Sequence, residues 1–170
     1  MNPIELRADC AQCAALCCVA LAFDRSHLFA IDKAAGAACP NLSERGRCGI
    51  HASRAQQGFA GCVQYDCLGA GQRVTRMFAG RSWRDGEMTA REIFDAFHTM
   101  RRVHELVTLL RTARTLDLSV EQRRSVEELL GCLEADWTPA SLCEFRLAGA
   151  EREARALFAS LRDCFSGHAK

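Results

Sequence analysis

The chain has no apolar run approaching the roughly 18 residues that a bilayer span requires, and no excess charge of either sign. Its 22 Lys and Arg against 21 Asp and Glu leave a net charge of +1, which gives no reason to expect nucleic acid or an anionic membrane surface as a partner. The start, Met1-Asn-Pro-Ile-Glu-Leu-Arg7, has no basic segment followed by an apolar core and a small-residue cleavage site. No export signal is therefore expected, and a reducing cytoplasm is the expected location. There is no Ser/His/Asp order, no HExxH and no complete nucleotide loop, so classical hydrolase and kinase chemistry has no support. Lysine is scarce beside arginine and alanine, a bias that fits base composition better than any physical demand.

Cysteine is what the chain has in excess. Eight of its 11 cysteines fall in the first 67 residues: Cys10, Cys13, Cys17, Cys18, Cys39, Cys48, Cys62 and Cys67. Cys10 and Cys13 are separated by two residues, a spacing that lets both sulfurs face one side of a turn and bend around one metal ion. Cys17 and Cys18 are adjacent, and neighbouring side chains fit one corner of a tetrahedron only with strain. They more naturally serve two metals, or a metal and a structural contact, which hints at a polynuclear site. A disulfide framework and inert buried thiols are the competing readings. Clustered thiols in a reducing compartment favour metals, and an odd total would leave one thiol unpaired after full oxidation.

With 170 residues, 49% hydrophobic and 25% charged, the chain suffices for one domain or two small lobes with a real core. Val19 to Phe23 is a short apolar run that would seat the cysteine turn on that core, and His27 to Ile31 is another. Residues 36–49, dense in turn formers, read as a loop held by Cys39 and Cys48, or as surface turns with incidental cysteines. Gly46 and Gly49 would take positive φ and swing amide N–H groups toward sulfur. His51 lies three residues past Cys48, within reach of a shared metal, though a lone His so placed is ordinarily a surface or capping residue. Residues 53–58 read as a short helix. Gly69-x-Gly71 lacks the third glycine and the Lys-Ser/Thr of a phosphate loop, so it reads as tight backbone packing.

Residues 68–118 carry nine Arg or Lys against six Asp or Glu, and Arg73, Arg76, Arg81 and Arg84 could screen a thiolate cluster or form solvated surface. Trp83 reads as core or interface. From Met88 the pattern turns helical. Thr89-Ala-Arg-Glu92 reads as a capping box opening a helix to about Leu116, with Ile93, Phe97, Met100, His104 and Val107 on one stripe. Ser119-Val-Glu-Gln122 opens a second helix ending near Asp136, and Thr138-Pro139 opens a third. Ala154, Leu157, Phe158, Leu161 and Phe165 mark a last one, after Gly149. His98 and His104, six apart, do not share a helix face. Cys132, Cys143 and Cys164 sit among apolar positions and read as core. The expected fold is mainly α: an irregular cysteine-rich metal-binding N-terminal lobe (1–87) packed on a small C-terminal antiparallel helical bundle (88–170).

The order C-x2-C-x3-C-C, then Cys39-Pro-Asn-Leu ahead of Arg47-Cys48-Gly-Ile-His, then Gly61-Cys62, resembles the CxxCxxCC-type cysteine-cluster family, described as a zinc- or iron-chelating domain and often labelled iron–sulfur. The resemblance covers roughly residues 10–67 and implies Cys10, Cys13, Cys17, Cys18, Cys39, Cys48 and Cys62 as ligands. This chain departs from the family in the three residues between Cys13 and Cys17 and in the segment after the last motif. Residues 58–72 with Trp83-Arg84 also resemble the module that precedes pentapeptide repeats in some actinobacterial proteins; no such repeats occur here. Thiolate-rich sites select zinc, copper(I) or iron–sulfur clusters. The expected cofactor is an iron–sulfur cluster, 4Fe–4S favoured, with zinc as the alternative; the few methionines do not help copper. The expected function is a cluster protein with a redox or accessory role, its helical bundle meeting a protein partner. The alternatives are a structural zinc interaction module, and an enzyme using an open cluster near His51, Tyr65, Asp66 and Arg73.

Overall fold

The computed structural model describes residues 4–161. Helices dominate: α1 (Leu16–Ala20), α2 (Ala60–Gln64), α3 (Ala70–Met77), α4 (Glu87–Ala113), α5 (Val120–Leu133), α6 (Pro139–Glu144) and α7 (Leu147–Ser160), with 3-10 turns at Cys10–Gln12 and His51–Ser53. Among the described residues there is no strand, only two isolated bridges, Phe23 with Lys33 and Leu42 with Cys48. The fold is mainly α, as the sequence predicts. No helix among the described residues is long and apolar enough to cross a membrane.

The chain divides into two compact units. One is Leu6–Arg101; the other, among the described residues, runs from Arg102 to Leu161 and takes in Ile4 and Glu5. The sequence placed a boundary at 87–88, where α4 begins; packing places the division within α4 itself. The expected stripe on α4 is buried throughout, Phe97, Met100, His104 and Val107 completely. The helix starts two residues before Thr89, because Ala90 N–H already donates to Gly86 O at 3.0 Å. Thr89 is thus a helical residue and not a cap. It is Gly86, at φ 118°, that allows the chain to turn into the helix.

In the unit from Leu6 to Arg101, Leu16, Val19, Phe59, Val74, Phe78, Ile93 and Phe97 form the core. Residues 54–58 are turns rather than a helix; Gly58, at φ 80°, closes them, with Phe59 N–H donating to Arg54 O. In the other unit, α5 packs on α7 through Val126, Leu129, Leu130, Leu133, Ala150, Ala154 and Leu157, all buried. Ser119 and Thr138 are true N-caps with reciprocal capping boxes, and Pro139 stands at the start of α6. The last helix opens at Leu147, so Gly149 lies inside it and not before it. Arg111 ties the unit together, bonding Glu134 at 2.8 Å and Ile4 O at 3.1 Å.

Cys132 and Cys143 correct the expectation of core thiols: both are exposed. Each is next in sequence to a buried leucine, Leu133 and Leu142, and a neighbour in a helix points about 100° away. Cys164 and Phe165 lie outside the described residues.

Candidate metal centre

Two separate stretches of backbone carry the first cysteines into place. Asp9 caps the Cys10–Gln12 turn, accepting from Ala11 N–H at 2.8 Å and from Gln12 Nε2 at 2.7 Å. The buried amide of Gln72, on α3, then bonds both sides of that entry: its oxygen accepts from Asp9 N–H and its nitrogen donates to Arg7 O. Thr75 Oγ1 accepts from Ala14 N–H at 2.9 Å, and the Trp83 indole N–H donates to Ala14 O at 2.9 Å. Ala15, at φ 61°, turns the chain into α1, and the N–H groups of Leu16 and Ala15 donate to the Cys13 sulfur. On α3, Gly71 comes so close that a Cβ there would stand 2.7 Å from Cys13 Sγ and 3.7 Å from Cys67 Sγ. The tight packing read at Gly69-x-Gly71 is therefore packing against sulfur.

The remaining cysteines gather around Cys18. Its carbonyl accepts from Cys39 N–H at 3.0 Å, and Val19 O accepts from Gly36 N–H. Within Cys39-Pro-Asn41, the Asn41 N–H donates back to the Cys39 sulfur, a knuckle that presets one thiolate acceptor. The Leu42–Cys48 bridge returns Cys48 alongside. Gly46 has the expected positive φ, 72°, whereas Gly49 does not; Gly49 is held instead by its N–H to Asn41 O at 2.8 Å. Cys62 sits on α2, where Gly61 packs so closely on the Phe29 ring that a Cβ would approach it to 2.3 Å.

Seven of the eight cysteines, all but Cys67, line one cavity of about 600 Å³. Its apolar wall includes Leu21, Phe23, Leu28, Phe29, Ile50 and Phe59, and His51, Arg47, Arg54 and Tyr65 also face it. Phe23 and Phe29 stack at 4.3 Å. Cys67 lies on a second, much smaller void beside Cys10, Cys13 and Cys17. Asp66 and Arg73 line neither space; the Asp66 carboxylate accepts from Leu68 N–H, holding the turn into α3. Of the basic patch read from the sequence, Arg81 pairs with Glu92 at 2.6 Å and Arg84 stacks on Trp83.

The cations near sulfur are others, Lys33 and Arg54. Lys33 is buried, its Nζ donating to Val19 O, Ala34 O and Ala37 O at 3.0, 3.1 and 2.8 Å. Arg54 donates to His51 O and Cys62 O. Sequence reasoning passed over both, although one signal was there: Lys33 is the single lysine before Lys170. A buried ammonium in a chain that otherwise avoids lysine implies nearby negative charge.

The titration of the sulfurs records their grouping. Burial raises Cys10, with Cys67 next, Arg54 acting against them and Cys18 adding to them; burial also raises Cys13, countered by the N–H groups of Leu16 and Ala15 and assisted by Cys67. Cys17 stands well above the ordinary thiol range, first because its thiol donates a hydrogen bond to Cys18 and then through burial; Cys18, accepting that bond, is lowered, with Lys33 and Arg54 acting in the same sense. Cys39 and Cys62 are raised by burial and then by the sulfurs around them: Cys18 and Cys48 for Cys39, and Cys18, Cys39 and Cys48 for Cys62. Burial pushes the Tyr65 phenol up, opposed by Arg101. The two spaces divide the sulfurs by lining: Cys18, Cys39, Cys48 and Cys62 face the large cavity, Cys67 the small void, and Cys10, Cys13 and Cys17 both.

In their present rotamers, no three or more His, Cys, Asp and Glu side chains among the described residues stand at distances that would hold one ion. All eight clustered cysteines, Cys132 and Cys143 are free thiols.

No family model matches the chain, and no solved structure matches it. It is similar to a protein of Bacillus subtilis (strain 168) described as "Uncharacterized protein YybG", with 41% identity over 116 residues. The aligned residues make up 68% of this chain and 42% of that relative, so the chain spans less than half of the relative's length.

Proposed function

We propose that the protein is an iron–sulfur protein of the cytoplasm, of the CxxCxxCC cysteine-cluster kind, with a redox or accessory role. The observation that carries this reading is the cavity of about 600 Å³ with seven cysteines on its walls. It is far larger than one ion needs and is bounded by soft donors, which select iron–sulfur clusters, zinc or copper(I). Four of those donors, Cys18, Cys39, Cys48 and Cys62, make the ligand count of a four-iron cluster.

The surroundings fit that group. Four thiolates around a cluster leave net negative charge, and Lys33 and Arg54 offset it from the side of Cys18. The Asn41 N–H donates to the Cys39 sulfur, and such bonds stabilise thiolate and tune a cluster's potential. Phe23, Phe29 and Phe59 keep water from one side of the cavity. When bound, a cluster of this type exchanges single electrons. His51 and Tyr65 are the chain's groups positioned to meet a molecule entering the cavity, and the helical unit is the proposed contact for a protein partner.

Protein purified without oxygen should contain iron and acid-labile sulfide in stoichiometric amounts and absorb at roughly 400 nm, as cluster proteins do. The Cys39→Ser and Cys62→Ser variants should lose that band. Stoichiometric zinc without iron or sulfide would instead support the second reading, a structural zinc module. That reading is favoured by the total of eight clustered sulfurs, the count of two closed tetrahedral zinc sites.

A further inference from the structure

We propose that Cys10, Cys13, Cys17 and Cys67 form a four-thiolate site for one thiophilic divalent cation, zinc by class, on the small void beside the large cavity, with Cys10, Cys13 and Cys17 lining both spaces and Cys67 the small one. The proposal rests on the reading that the clustered cysteines bind metal, and it divides them.

Size is the first argument. These four cysteines surround a void of about 20 Å³, shared with Asp9, Gly71, Gln72 and Phe97. A space of that order holds one water-sized particle. It admits an ion and excludes a cluster of several irons and sulfides.

Donor chemistry is the second. The polar side chains on the void are already committed: Asp9 to Ala11 N–H and Gln12 Nε2, Gln72 to Asp9 N–H and Arg7 O. Sulfur is what remains, and four sulfurs with no further donor make a closed tetrahedral set, the pattern of structural zinc. Phe97, fully buried, and Gly71 and Gln72 of α3 complete the lining of the void.

Backbone architecture is the third. A C-x2-C turn supplies Cys10 and Cys13, its Asp9 cap held by the Gln72 amide and its Ala14 N–H by Thr75. Cys17 comes from α1, and Cys67 from the turn leading into α3. Gly71 is the residue that lets α3 reach both Cys13 and Cys67 sulfurs. Loading the ion releases the protons of the four thiols to solvent. No electron is transferred in this step. The site's role is structural: it clamps the residue 9–17 segment to α3, where Gln72 and Thr75 already hold it.

The test is zinc, iron and acid-labile sulfide analysis of the full chain purified without oxygen, compared with Cys67→Ser, Cys13→Ser and Cys62→Ser. The expected result is about one zinc per chain beside the iron and sulfide, lost in Cys67→Ser and Cys13→Ser while iron and sulfide stay, and kept in Cys62→Ser while they go. Cobalt(II) loaded into the wild-type chain in place of zinc reads the same site without relying on any variant's folding, and should give the intense visible bands of a four-thiolate tetrahedral ion. Iron and sulfide with no zinc and no such cobalt spectrum would overturn the inference and leave the iron–sulfur reading standing. Zinc that behaves as predicted, without iron or sulfide, would do the reverse. Loss of all metal in every variant, each with wild-type helix content, would mean one undivided centre and would also overturn it.

Discussion

Gly71 is under two opposing demands. It lies within α3, where alanine would be the better helix former by about 1 kcal/mol, yet a Cβ would press on Cys13 Sγ at 2.7 Å. Overpacking of this kind costs about 1–3 kcal/mol, so crowding outweighs propensity. Gly71→Ala should lower both melting temperature and bound metal. Gly131→Ala, on α5 with nothing within 4 Å of its Cβ position, should stabilise the protein by about 0.5–1 kcal/mol. Thermal melts followed by circular dichroism compare the two; equal effects would mean that sulfur proximity is not what keeps Gly71. Lys33 makes a second prediction. Lys33→Met keeps the apolar stem but takes a charged donor from three carbonyls; Val19 O and Ala34 O keep backbone donors, so the cost falls mainly on Ala37 O, and an unmet buried group costs about 1–3 kcal/mol. The variant should unfold at lower denaturant and retain less metal. Unchanged metal content would show that Lys33 braces the backbone without serving the centre.

At the scale of elements, helix starts with reciprocal caps were the legible part. Ser119→Ala removes the acceptor for Gln122 N–H, 3.2 Å away, and should cost about 1 kcal/mol in a denaturant melt. A smaller loss than Gly131→Ala gains would mean that the capping box is not formed in solution. The same logic misled at Thr89, where a cap-like pattern sits inside a helix whose true start is set by Gly86. Three short helices without a side-chain cap were not legible: α1 and α2 have five residues and α3 eight, too few for a periodic stripe to outweigh chance. α3 is placed by its approach to Cys13 and α2 by its approach to Phe29. The gathering of the cysteines was readable from their spacing alone. Their division between two spaces was not, since it depends on Cys67 returning beside Cys13 across the turn before α3, a long-range contact that spacing does not encode. Lys33 and Arg54 were missed for the same reason, because charge reading along the chain weighs patches and not single buried groups.

At the scale of the molecule, the two compact units draw on different sources of stability. The unit from Arg102 onward buries leucines, valines and alanines at helical spacing, and each fully buried aliphatic side chain of leucine or valine size contributes about 1.5–3 kcal/mol. Much of the unit from Leu6 to Arg101 is loop around sulfur, where, on the proposed reading, coordination would supplement apolar burial. Stripping metal with a chelator under reducing conditions should therefore expose residues 10–67 to fast hydrogen exchange while α5 and α7 keep their protection. Simultaneous loss of protection everywhere would show that the helical unit has no independent stability.

The account depends on sulfur from Cys10 through Cys67 meeting inorganic matter. X-ray absorption at the metal edge of protein isolated without oxygen tests this most directly. Sulfur should fill the first shell, at about 2.3 Å for any zinc present, with a metal–metal shell beyond it at the iron edge. A first shell of nitrogen and oxygen, or no stoichiometric metal to measure, would contradict it.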